Sequence, residues 1–301
     1  MKLLTTLQKN ILKEYGIAIL FVLPSIILLI LLIVIPTINT VRISFFHWDG
    51  VNPVMEFAGL QNYRVVFADP RFHTSIINNF IWAAMHIVFA CIYGFILAYM
   101  ISRVKKGRTI FRNILFLPHV IALPVSAVIW ALIYNPQFGI LNLLLDLVGL
   151  GMLQRPWLGD PTITIYAISM SSAWQAYGYY VLLFIAGLQN VDAELYEASE
   201  LDGAGRVKQF IHITVPSMRH VFTFVFSMSI INGLRGFATV WVMTQGGPGS
   251  SSFLMILYGF VLAFRENHFG RSMVSGVTLG VMILVLTLVF NSIRDRLGKE
   301  D

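Results

Sequence analysis

The amino-acid sequence predicts an all-α membrane protein of six transmembrane helices with both termini on the cytoplasmic side. Three observations predict it. Only 12% of the 301 residues are charged and 57% are apolar, with a mean hydropathy of +0.75, whereas a soluble domain carries about 25% charge. Apolar runs of about 20 residues, enough to cross ~30 Å of hydrocarbon as helix, recur along the chain. Lys and Arg are unevenly shared between the segments joining those runs, the bias that sets orientation in membranes. This composition excludes a cytosolic enzyme, a disulfide-built secreted module and a disordered chain. The single cysteine, Cys91, leaves no intrachain disulfide and no cysteine-based metal cluster.

Residues 1–15 read as a cytoplasmic segment, 16–294 as the transmembrane domain and 295–301 as a cytoplasmic tail. Lysines precede the first apolar run as in a secretory signal. That run exceeds 20 residues and lacks a small-residue cleavage site, so it predicts a retained helix, Gly16–Ile38. The following spans are Ile76–Ile101, Ile114–Tyr134, Ile163–Leu188, Val221–Met243 and Met273–Ile293. The apolar run Phe253–Phe264 is too short to cross and predicts an interfacial or re-entrant piece. With the N-terminus inside, fourteen Lys and Arg fall in inner segments and six in outer ones, and Arg235 falls within a span. The net charge of +6 therefore marks topology and not a nucleic-acid partner. Phe45, Phe46, Trp48, Tyr134 and Trp157 lie near outer span ends, as an interfacial aromatic belt requires.

The longest inner loop, 189–219, gathers five of the 15 acids: Asp192, Glu194, Glu197, Glu200 and Asp202. Asp192 can cap a helix running through Asp202, Gly203 stops it, and a second short helix spans Ala204–Thr214 before Pro216. Leu195, Ala198 and Leu201 recur on one side of the first, and Val207, Phe210 and Ile211 on the second. Two such helices have too little core of their own. They require either a partner surface or a place against their own span ends.

Glu197-Ala198-Ser199, followed by Asp202-Gly203-Ala204, Gln209-Phe210, Ile213 and Pro216, resembles the cytoplasmic coupling loop of binding-protein-dependent ABC transporter permeases. Ser199 replaces that family's second alanine, small for small. Phe21–Trp48, Phe57–Phe72, Trp157–Pro161, Ala186–Gln189 and Thr244–Pro248 are similar to segments of the sugar-importing branch, the group of maltose, glycerol-3-phosphate and disaccharide permeases. Gly246-Gly247-Pro248 resembles the first-permease type. The resemblance implies an importer type I permease fold in a bacterial plasma membrane, paired as a heterodimer with a second permease. It implies an ATPase subunit dimer, which binds ATP and Mg, docked on the coupling loop. An extracytoplasmic solute-binding protein would deliver a carbohydrate, such as a mono- or oligosaccharide or a sugar phosphate. This chain itself would hold no cofactor and no catalytic residue.

A solute path needs polar or aromatic groups that would be costly against lipid. Ser229, Asn232, Gly233 and Gly236 form one stripe of the fifth span, and Ser172, Gln175, Ala176 and Tyr179 one of the fourth, with Tyr177 and Tyr180 beside them. Hydroxyls, amides and rings suit a sugar, but small-residue stripes also serve helix packing. In maltose-type permeases polar and aromatic residues of these two spans contact sugar, and the resemblance places several of them at these stripes. Arg235 either faces a wet cavity, meets an anionic substrate group or ends a shorter span. The seven histidines show no metal spacing, and no Gly-rich phosphate loop is present. An ion-coupled secondary transporter would need intramembrane acids, and all 15 fall in loops or tails. A membrane hydrolase would need a nucleophile and base at one depth, and no span supplies the pair.

Overall fold

The computed structural model describes residues 19–104 and 106–297. Residues 1–18, Lys105 and residues 298–301 lie outside the described residues, and with them five of the lysines counted towards orientation, Lys2, Lys9, Lys13, Lys105 and Lys299. Among the described residues, three helices are long and apolar enough to cross a membrane: α1 (Ile19–Ile43), α3 (Pro70–Ser102) and the Phe269–Ser292 portion of α13 (Phe269–Leu297). Every residue of α1 from 19 to 39 is exposed. Its packing is mainly against α13, where Thr40 meets Gly276.

Between α1 and α3, β1 (Phe46–His47) pairs antiparallel with β2 (Glu56–Phe57), and α2 (Gln61–Ala68) follows. An ionic clasp closes this end of the bundle. Arg71, at the start of α3, pairs with Asp69 at 2.8 Å and with Glu266 at 2.6 Å, and the Tyr258 hydroxyl donates to Asp69. Burial works to raise the Asp69 carboxyl, but hydrogen bonds from Arg71 and Tyr258 outweigh it and hold the group below its ordinary range.

The expected third span is not one helix. α4 (Arg108–Val120) and α5 (Leu123–Ile133) meet at 95°. Pro118 ends the first and Pro124 starts the second, because proline lacks the N–H and disfavours helix in the residue before it. The helix α6 (Ile140–Leu147) leads on to α7 (Thr164–Leu188), close to the expected Ile163–Leu188. At about 37 Å α7 is long enough to cross, and it is the central helix, buried on several sides at Ser169, Ser172, Gln175, Tyr180 and Phe184. Gly178 permits the approach of α4, since a Cβ there would run into the Leu115 backbone.

The loop contains α8 (Ala193–Leu201) and α9 (206–217), the latter with a π-turn at Phe210–Thr214. Its second helix thus starts two residues later than expected and continues through Pro216, which follows directly on the π-turn. The fifth expected span is also divided, into α10 (Arg219–Gly233) and α11 (Ala238–Met243). Leu234–Phe237 are irregular, and the freed Leu234 carbonyl accepts from Asn79 Nδ2 at 3.0 Å. Lipid cannot supply such a partner, so a buried asparagine does. Asn79 also accepts from the Met255 backbone at 2.8 Å, and its neighbour Asn78 donates to the Ser251 and Phe253 carbonyls. The short apolar run is helical, α12 (Met255–Phe264), and packs into the core: Met255, Leu257, Tyr258 and Leu262 are buried.

Two apolar cores stack along the bundle. Phe72, Trp82, Ile168, Leu234, Leu254 and Tyr258 form the one nearer the clasp. Ala90, Phe95, Val181, Phe184, Met218 and Val225 form the one nearer loop 189–219.

Candidate functional site

Two places gather the polar side chains picked out by pattern. In the loop, the Asp192 carboxylate accepts from the Glu194 N–H and caps α8. Gly203 has φ +75, and a Cβ there would meet nothing within 4 Å. The turn therefore needs glycine for its backbone, while the space beside it is open. Ser199 ties the two helices together: its Oγ receives Gln209 Nε2 at 3.1 Å, and its carbonyl receives the Ala204 N–H at 2.9 Å. The Tyr196 and Thr214 hydroxyls are 2.8 Å apart. Phe210 anchors the pair on α3 by stacking on Phe95 and meeting Tyr99 edge-on, and Ile213 is half-buried. Glu197, Ala198, Asp202 and Pro216 are exposed, and so are Leu195, Val207 and Leu201, the last 90% open. The loop is internally bonded and turns an acidic, apolar rim outward.

The second place is a cavity of about 470 Å³ at the α10–α11 break. It brings together Ser172, Gln175 and Tyr179 of α7 with Asn232, Arg235 and Gly236. Three candidates are elsewhere. Ser229 is fully buried and donates to the Val225 carbonyl, Gly233 packs on Ala83, and Tyr177 packs in the core nearer the loop. Ser229, Asn232 and Gly233 share the unbroken α10, but of the three only Asn232 reaches the cavity, because the other two face neighbouring helices. Trp82, His86, His119, Phe237 and Thr239 also line the cavity, and pattern did not find them. Trp82 and His86, one turn apart in α3, and His119 directly after Pro118 were the available signals.

The cavity is built where helices stop. Gln175 Nε2 donates to the Ile121 carbonyl freed by the α4–α5 bend, at 2.9 Å. Asn232 Nδ2 lies 3.5 Å from the Tyr180 hydroxyl. His86 stacks on Trp82 at 5.5 Å and His119 on Tyr179 at 5.4 Å. Arg235 is exposed to the cavity and has no ion pair among the described residues. No Asp or Glu lines the space. Among the described residues no group of three metal-binding side chains occurs. Rings, hydroxyls, amides, two imidazoles and one guanidinium surround this volume.

Comparison with known proteins accords with this geometry. Residues 90–300 match the family described as binding-protein-dependent transport system inner membrane component. A probable ABC transporter permease of Bacillus subtilis, YurN, is 36% identical over 94% of this chain and 97% of its own. The trehalose/maltose transport system permease protein MalF of Thermococcus litoralis is 29% identical over 95% of each chain. The crystal structure of a bacterial ABC transporter involved in the import of the acidic polysaccharide alginate has the same fold. Its TM-score is 0.82 at 22% identity, over 97% of this chain and 99% of that one.

Proposed function

The chain belongs to the family of binding-protein-dependent transport system inner membrane components, as a membrane permease of an ABC transporter, and on that premise we propose how it works. It passes a saccharide, received from an extracytoplasmic solute-binding protein, through the cavity at the α10–α11 break. A paired ATPase subunit dimer docks on loop 189–219 and drives the change of access. The observation that carries this reading is the convergence of Ser172, Gln175, Tyr179, Asn232, Arg235 and Gly236 on one cavity. Tyr and Trp rings cover the apolar face of a sugar while amides and hydroxyls bond its edge. The relative named for trehalose and maltose supports a saccharide.

We count six crossings by taking each broken pair as one: α1, α3, α4–α5, α7, α10–α11 and α13. An even count puts both termini on one side, and the bias of Lys and Arg makes that side the cytoplasm. A second permease completes the path as a heterodimer, covering the open side of the cavity. Coupling runs through Phe210, which seats the loop on α3, the helix that also carries Trp82 and His86. Motion imposed on Glu197–Ala204 thus reaches the cavity along one helix, through the π-helical stretch Val88–Tyr93 that lies between Phe95 and His86.

The test is saccharide uptake by the complete transporter carrying Tyr179→Ala or Asn232→Ala. The expected result is uptake reduced about tenfold, ~1.4 kcal/mol, with normal subunit assembly. Wild-type uptake in both variants places the path elsewhere.

A further inference from the structure

We propose that this cavity selects an anionic saccharide, one carrying a carboxylate or a phosphate, with Arg235 taking the charge and His86 and His119 donating beside it. The inference rests on the cavity being the saccharide path and narrows it by charge. The lining carries one full positive charge and no carboxylate. Arg235 offers five donors and no acceptor, and no Asp or Glu pairs with it among the described residues.

A separate observation points the same way. His86 is only 6% exposed, and neither of its ring nitrogens has a partner; nor does Nδ1 of His119. Buried polar atoms are ordinarily bonded, so the two rings beside the cavity hold hydrogen-bonding capacity that the fold itself leaves unused. Gln175 gives one amide N–H to the Ile121 carbonyl and Asn232 one to the Tyr180 hydroxyl, so each keeps a second N–H and its oxygen for the edge of a sugar. Amides, hydroxyls and imidazoles can bond a neutral or a charged sugar alike, and the one group in the lining that distinguishes them by charge is the Arg235 guanidinium. A sugar hydroxyl donates as readily as it accepts, whereas a carboxylate or phosphate only accepts and meets a guanidinium bidentately.

The permease–ATPase complex in nanodiscs, without its solute-binding protein, is titrated calorimetrically with trigalacturonate, glucose 6-phosphate, maltotriose and glucose. An anion is expected to bind about tenfold or more tightly than its neutral counterpart, ~1.4 kcal/mol. Whether trigalacturonate or glucose 6-phosphate shows the larger gain assigns carboxylate or phosphate. Arg235→Gln is expected to erase the preference while maltotriose binding persists, Arg235→Lys to keep most of it, and His86→Phe to weaken the anion alone. Equal binding of trigalacturonate and maltotriose overturns the charge selection and leaves the saccharide path standing, as follows if an acid of the second permease reaches Arg235. A preference that survives Arg235→Gln overturns the assignment to that residue. Binding of no saccharide overturns both readings.

Discussion

Loop 189–219 and the cavity at the helix break use the same residue types, small, polar and aromatic, in opposite ways. In the loop, Ser199, Gln209, Tyr196 and Thr214 bond to one another and hold two short helices, leaving Glu197, Leu201 and Val207 pointing out. Around the cavity, Asn79 and Gln175 bond to backbone that a broken helix has released. The loop's polar bonds shape a surface, whereas the cavity's replace hydrogen bonds of the fold itself. Substitutions at the loop rim should therefore change coupling without changing stability, and substitutions in the frame of the cavity should change stability first.

Asn79→Ala should have the largest effect. It leaves the Leu234 carbonyl and the Met255 N–H without partners in a buried setting, each worth about 1–3 kcal/mol. Thermal unfolding in detergent and the amount of chain in the membrane both fall. An unchanged midpoint would show that the break needs no asparagine. Next comes Gly203→Val. A β-branched residue at φ +75 is strained, and its side chain enters open space where a partner would dock. We expect stimulated ATPase activity and uptake to fall about tenfold or more at an unaltered membrane level; normal coupling removes the docking role of this turn. Glu197→Lys should weaken co-purification with the ATPase subunit severalfold, and full assembly would reduce the loop to a connector packed on its own spans.

The same contrast explains what could be read from the sequence. α7 and α8 were legible almost to the residue, because an apolar run and the Asp192 cap are local. Both breaks were signalled, by Pro118 with Pro124 and by Gly233-Leu234-Arg235-Gly236, but hydropathy averaged over a span hides a bend. Of the stripe at 229, 232, 233 and 236, Asn232 and Gly236 line the cavity, while Ser229 and Gly233 are packed against other parts of the bundle, a division that helical spacing does not show. His86 and His119 lie on α3 and α4, and only the tertiary arrangement of those helices around α7 makes them neighbours of Arg235. Arg235, the charge that fitted no local pattern, marks the break that makes the cavity.

The smallest effect expected is Leu201→Ser, and it tests the comparison most directly. Leu201 is 90% exposed, so folding buries almost none of it, and an exposed substitution of this kind stays within about 0.5 kcal/mol. The unfolding midpoint should stay where it is. If a partner covers the rim, however, the side chain is removed from water only in the assembled transporter, where burying a leucine contributes up to about 1.5–3 kcal/mol. A small, assembly-dependent loss is the signature: a severalfold weaker hold on the ATPase subunit, with the isolated chain unaltered. A lowered midpoint would mean that Leu201 packs within its own subunit. A rim that tolerates serine with assembly undiminished would leave the loop bonded, shaped and uncovered.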